Sequence, residues 1–137
     1  MSNPNILSLD IGEVRVGVAI AKSGVRVPII MPTLLFQNKD FWELLTRIID
    51  DQEINQIVVG LPRGMDGQET GQSEYVRDFV RKLSEHTELP IAFQDESLTS
   101  VKAVESLELS GKPYQKSDID GMSASFILSD YLDKEKQ

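Results

Sequence analysis

The chain has 137 residues, of which 40% are hydrophobic and 26% charged, and this balance is typical of one globular domain spanning residues 1–137. Its formal net charge of −8 argues against a protein that coats nucleic acid by bulk attraction, although a local cation-binding site remains compatible with it. The absence of cysteine excludes disulfides and thiolate metal sites. No apolar run approaches the roughly 20 residues that cross a bilayer, and the N terminus lacks a secretory signal pattern. We therefore expect a cytoplasmic protein without a membrane partner.

The first third of the chain predicts three strands that follow one another as a meander. Ile6–Asp10 is short and almost entirely apolar. Val14–Ala21 alternates valine or isoleucine with arginine, glycine or alanine, and this period of two is typical of a strand. Val25–Leu35 contains Pro28 and Pro32, which cannot donate hydrogen bonds to a neighbouring strand. The third strand is therefore predicted at an edge of the sheet.

The rest of the chain predicts helices that alternate with buried strands. In order, they are a helix around Phe41–Ile49, a strand Gln56–Gly60, a helix around Tyr75–Leu83, a strand Pro90–Asp95, a helix Thr99–Leu109 and a helix Ile119–Leu132. The segment 61–73 is rich in glycine and polar residues and is predicted as a loop. Strands joined by crossover helices run parallel, so we predict an α/β fold with a central five-stranded mixed sheet flanked by helices.

Three acidic residues are predicted to converge at one end of this sheet. Asp10 ends the first strand, and Glu96 directly follows the strand that ends at Asp95. Ligands bind outside strand ends in such sheets, and central strands place those ends a few ångströms apart. Asp120, in the predicted first turn of the last helix, shares a helical stripe with Ala124 and is expected to face the protein body.

Three converging carboxylates repel one another unless cations bind between them. Magnesium and manganese are hard divalent cations that prefer oxygen ligands. Two such ions can activate water and stabilise the leaving oxygen when a phosphodiester bond is cleaved. The pattern of Asp10, Glu96 and Asp120 therefore predicts a site for two Mg²⁺ or Mn²⁺ ions, with the acids as both metal ligands and catalytic residues.

Each of these acids also has a simpler interpretation. Asp10 begins an Asp-x-Gly sequence, which is common in turns. Glu96 taken alone is a typical surface acid. Asp118 is an alternative to Asp120 as the functional acid at the start of the last helix. The convergence of all three favours the catalytic interpretation.

Basic residues near these acids are candidates for contacts with substrate phosphates. Arg15 alternates with the apolar valines of the second strand, and Lys112 and Lys116 lie in the stretch before the last helix. Arginine and lysine commonly contact nucleic-acid phosphates, although solvated side chains are an equally simple interpretation.

Four motifs in order resemble one known family over residues 6–132. They are DIGEVRVGVA (Asp10–Ala19), IVVGLPRGMDG (Ile57–Gly67), DESLTS (Asp95–Ser100) and DGMSASFILSDYL (Asp120–Leu132). Together they resemble the YqgF/RuvX family of bacterial ribonuclease H-like nucleases, described as pre-16S rRNA nucleases and as candidate Holliday junction resolvases. The resemblance implies a ribonuclease H-like fold, with Asp10, Glu96 and Asp120 as the family's three acids. Lys116 matches a basic position that often precedes the last acid.

The chain departs from the family pattern at two places. Ser97 stands where the family commonly has arginine, which removes an expected phosphate contact. Ser123-Ala124 replaces a pair of alanines, a change that keeps both side chains small. The three acids themselves are intact, so the predicted metal site does not depend on either departure.

The resemblance implies a metal-dependent nuclease, and we expect it to act in 5′-end processing of pre-16S rRNA. Its partners would be structured RNA and ribosomal particles, and the protein would be a monomer or homodimer. A resolvase of DNA junctions is the alternative within the same chemistry. A non-catalytic nucleic-acid or protein adaptor is the alternative outside it. The first motif also resembles the phosphate loop of sugar kinases, but those enzymes clamp nucleotide between two such domains, and this chain is predicted to have one.

Overall fold

A computed structural model describes residues 3–25, 27–62, 68–96 and 99–135. The chain forms these elements in order: β1 (Ile6–Ile11), β2 (Arg15–Ala21), β3 (Ile29–Leu35), α1 (Phe41–Asp51), β4 (Gln56–Pro62), α2 (Gly71–Leu83), β5 (Ile91–Glu96), α3 (Thr99–Ser110) and α4 (Lys116–Glu135). Every predicted element is present. Among the described residues, no helix combines the length and the apolar character that crossing a membrane requires.

The five strands form one mixed sheet in the order β3-β2-β1-β4-β5. β1 pairs antiparallel with β2, and β2 pairs antiparallel with β3. β4 runs parallel to both β1 and β5, which is possible because α1 and α2 provide the crossover connections. The predicted mixed sheet is confirmed, and β3, with its two prolines, lies at an edge as expected.

The two faces of the sheet carry different side chains and different helices. On one face, large aliphatic residues of β1, β2 and β4 pack against α1 and α2 and form the larger hydrophobic core. On the other face, small residues such as Ala19 and Ala21 pack against Ala124, Ile127 and Leu128 of α4. The small side chains of Ala19, Ala21 and Ala124 let α4 lie close to the sheet. The second face is the one that carries Asp10, because it also holds the alternate residues of β1.

Gly17 determines how closely the start of α4 approaches β2. A Cβ atom built on Gly17 would lie 2.0 Å from the backbone oxygen of Asp120, which is far inside van der Waals contact. Gly17 is also the residue of β2 that pairs with Asp10. This single glycine therefore brings Asp120 of α4 next to the end of β1.

Two helices begin earlier than the sequence pattern predicts, and capping interactions explain both. Asp118 accepts a hydrogen bond from the backbone N–H of Gln115 at 2.8 Å, so α4 starts at Lys116 and not at Ile119. Asp120 consequently lies in the second turn of α4, and the prediction that placed it in the first turn was wrong. Likewise, Thr70 accepts a hydrogen bond from the Ser73 backbone and starts α2 within the predicted loop.

The strand boundaries also differ from the prediction. β3 starts at Ile29, four residues after the predicted start, and β4 continues to Pro62. Glu96 is the last residue of β5 and does not follow the strand as predicted. Residues 63–67 of the second motif, and Ser97, lie outside the described residues.

Candidate active site

Asp10 and Glu96 meet on the α4 face of the sheet, although β4 separates their strands. Glu96 is the last residue of β5 and pairs with Pro62 of β4, while Asp10 lies near the end of β1. Gly60 of β4 leaves space for both α4 and Glu96, since a Cβ atom there would lie 2.5 Å from Ile127 Cδ1 and 3.1 Å from Glu96 Oε2. A larger residue at position 60 would therefore press against the carboxylate.

The Asp10 carboxyl group has an unusual proton affinity. Burial is the largest cause, followed by the negative charge of Glu96, a hydrogen bond to Glu96 and the negative charge of Asp120, and together they raise the pKa of Asp10 from its ordinary value of 3.8 to about 8. At neutral pH and without a cation, Asp10 is therefore mainly protonated and donates a hydrogen bond to Glu96. The predicted convergence of the three acids thus adds to the effect of burial and raises the proton affinity of Asp10.

Asp120 is held by a basic residue of the neighbouring strand. The Arg15 guanidinium donates from Nε to Asp120 Oδ2 at 2.6 Å, and both side chains are partly buried. Arg15 reaches Asp120 because it lies on the same face of β2 as Gly17. The sequence pattern predicts Arg15 as a candidate phosphate contact and gives no sign of this ion pair. Whether Arg15 also contacts substrate stays a prediction.

Glu96 has a second partner, Thr99, which is not among the site residues predicted from the sequence. Thr99 is 2% exposed, and its hydroxyl donates to Glu96 Oε1 at 2.6 Å. The signal in the sequence was its position three residues after Glu96, at the start of a helix. One oxygen of Glu96 is thus fixed by α3.

The donor set fits a hard divalent cation by its chemistry. Three carboxylates from β1, β5 and α4 supply only oxygen ligands, and Asp10, which is buried and lies beside Glu96, keeps a proton when no cation is bound. As the side chains are placed, with Asp120 bound to Arg15, no three His, Cys, Asp or Glu residues within the described ranges are arranged to hold a metal ion. Assignment of the three acids as metal ligands therefore remains a prediction, and it requires the Asp120 carboxylate, whose Oδ2 accepts from Arg15, to turn towards the cation.

Both lysines are exposed. Lys116 is the first residue of α4. Lys112 precedes it and lines a groove of about 550 Å³ between β3 and the connection from α3 to α4. The prediction that both lysines precede the last helix was wrong for Lys116, because α4 already begins there. Their contact with nucleic acid stays a prediction.

Comparison with known sequences identifies the family. A profile of the RuvX family, described as Holliday junction resolvase, matches residues 4–134. The chain belongs to the RuvX family. A curated relative from Chloroflexus aurantiacus, which carries the provisional name pre-16S rRNA nuclease, is 38% identical over 136 residues, covering 97% of this chain and 89% of the relative. The resemblance carried by the four motifs is confirmed.

Solved structures with the same fold are more distant in sequence. RuvC of T. thermophilus, solved in complex with a Holliday junction substrate, superposes with a TM-score of 0.61 at 8% identity and covers 98% of this chain and 96% of its own. The yeast mitochondrial Holliday junction resolvase Ydc2 gives a TM-score of 0.53 at 11% identity, covering 93% of this chain and 77% of its own. These likenesses confirm the predicted ribonuclease H-like fold of this RuvX member.

Proposed function

We propose that this RuvX protein is a divalent-cation-dependent nuclease that hydrolyses phosphodiester bonds in pre-16S rRNA. The observation that carries the proposal is the placement of the buried Asp10 beside Glu96 on the α4 face, with Asp120 near enough for its charge to act on Asp10. Burial first, and then these two acids, raise the pKa of Asp10 to about 8. A carboxyl group buried beside two other acids is costly for a fold to maintain unless the site uses it.

Each residue of the site has a role in this proposal. Asp10, Glu96 and Asp120 would hold one or two Mg²⁺ or Mn²⁺ ions, which would supply activation of water and charge neutralisation at the phosphate. Asp10 has to give up its proton for this, and in our proposal Asp120 leaves Arg15 as it turns towards the cation. Released in this way, the Arg15 guanidinium lies beside the acids with its positive charge available to a phosphate group.

RNA is the favoured substrate because curated relatives that span nearly the whole chain carry the name pre-16S rRNA nuclease. The protein would then bind its RNA substrate on a ribosomal particle. The net charge of −8 means that binding depends on the site and on a few basic side chains such as Lys112 and Lys116. The family description favours a four-way DNA junction as the second candidate.

The proposal is tested by offering both substrates to the same preparation. A labelled leader of pre-16S rRNA and a labelled four-way DNA junction are incubated with Mg²⁺, with Mn²⁺ or with EDTA. Asp10→Asn removes the charge of the central acid while keeping its shape. Asp130→Asn makes the same change at an exposed position of α4 and serves as the matched control.

We expect cleavage of the RNA with either cation, none with EDTA, and a loss of at least about 100-fold in Asp10→Asn only. Cleavage of the junction alone would support the resolvase candidate. If neither substrate is cut, and Asp10→Asn supports growth as well as the unchanged protein does, the nuclease proposal is overturned in favour of a non-catalytic adaptor.

A further inference from the structure

Thr99 is one of the few polar side chains that the described part of the protein buries completely. Its side chain is 2% exposed although it lies in the first turn of α3, at the boundary between sheet and helix layer. A buried hydroxyl needs a hydrogen-bond partner. Thr99 finds that partner in the carboxylate of Glu96, with Oγ1 2.6 Å from Oε1.

The contact leaves the Glu96 carboxylate with little freedom. Thr99 holds Oε1, while Oε2 lies against Gly60 and Asp10 adds its own hydrogen bond. Because threonine is β-branched, its χ1 is restricted and its hydroxyl has a defined direction. A free glutamate, by contrast, populates many rotamers and loses conformational entropy when it is fixed.

We propose that Thr99 is a positioning residue, whose hydroxyl orients Glu96 for cation binding and for catalysis. The inference rests on the proposed function, since it takes Glu96 to be a metal ligand. Hydrogen bonds from outside the ligand set orient metal ligands, and removing one commonly lowers metal affinity or activity 10- to 100-fold. A purely structural Thr99 would change the stability of α3 and leave the affinity for the cation unchanged.

Three substitutions separate these roles. Thr99→Val keeps the shape of the side chain and removes the hydroxyl. Thr99→Ser keeps the hydroxyl and removes the methyl group. Thr99→Ala differs from Thr99→Ser only by that hydroxyl, so this pair decides the question even if the valine variant does not fold.

Mn²⁺ binding, measured by isothermal titration calorimetry on the full chain, is the first readout, and kcat and KM for RNA cleavage are the second. Thr99→Val and Thr99→Ala are expected to weaken Mn²⁺ binding and lower kcat by about 10- to 100-fold, with KM for the RNA nearly unchanged. Thr99→Ser is expected to stay within about threefold of the unchanged protein on both readouts.

Glu96→Gln distinguishes the failure of this inference from the failure of the proposed function. If Glu96→Gln loses Mn²⁺ binding while Thr99→Val and Thr99→Ala bind like the unchanged protein, only the role of Thr99 is overturned. Equal losses in Thr99→Ser and Thr99→Ala would overturn it as well, because the hydroxyl would then be irrelevant. Unchanged Mn²⁺ binding by Glu96→Gln would overturn both proposals.

Discussion

Arg15 and Asp120, which are 105 residues apart in the sequence, form an ion pair with 2.6 Å between Nε and Oδ2. The pair joins β2 to α4 at the point where Gly17 lets the helix touch the strand. It also means that the Arg15 guanidinium is bound to one of the three acids. Arg15 therefore competes with any cation for the carboxylate of Asp120.

Removal of this competition is expected to strengthen cation binding. Arg15→Met should raise the affinity for Mn²⁺ about tenfold, which corresponds to about 1.4 kcal/mol, because a unit charge a few ångströms from the cation no longer opposes it. Isothermal titration calorimetry measures the change. Arg47→Met, which removes an exposed arginine that pairs with Glu43 on α1, should leave the affinity unchanged. Weaker Mn²⁺ binding in Arg15→Met would show that Arg15 supports the cation site and does not compete for it.

The raised pKa of Asp10 predicts a pH dependence of stability in the cation-free protein. The folded-state pKa is about 8 and the ordinary value is 3.8, so the folded state binds the proton more tightly. This contribution to the free energy of unfolding is complete below about pH 4 and is lost as pH rises towards about 8. Thermal unfolding in EDTA at pH 5, 7 and 9 measures it, with Asp10→Asn as a mimic of the protonated group. Relative to the unchanged protein, Asp10→Asn should become more stable as pH rises. A stability difference that stays constant with pH would contradict the raised pKa.

The architecture was predictable because hydrophobic periodicity reports which residues face a core. The alternation in Arg15–Ala21 identified β2, and the prolines of β3 identified an edge. Asp10, Glu96 and Asp120 could be predicted as site residues, because a strand end and a helical stripe each indicate where a side chain points. The Arg15–Asp120 ion pair could not be predicted, since no local pattern specifies a contact between residues that are 105 positions apart. The early start of α4 was in principle readable from Gln115 and Asp118, which are three residues apart.

Cation binding is expected to release a proton from Asp10. If the cation binds the ionised carboxylate, about one proton should leave per binding event at pH 6–7, and almost none well above the pKa of about 8. Mn²⁺ affinity should accordingly rise by up to about tenfold per pH unit below pH 8 and level off above it. Calorimetry in two buffers of different ionisation enthalpy counts the protons. A proton count near zero at pH 6 would mean that Asp10 is not a ligand.

Among the glycines that the structure describes, Gly17 should be the least tolerant of a side chain. In Gly17→Ala the new Cβ would lie 2.0 Å from the Asp120 backbone oxygen, so α4 has to move away from β2 and Asp120 moves with it. We expect a loss of about 3 kcal/mol or more in the free energy of unfolding, together with weaker Mn²⁺ binding. Urea denaturation measures the first effect. Gly71→Ala is the matched control, because a Cβ there meets no atom within 4 Å and its stability should stay within about 1 kcal/mol. If Gly17→Ala were equally stable, α4 would not be fixed against β2 by the absence of a side chain.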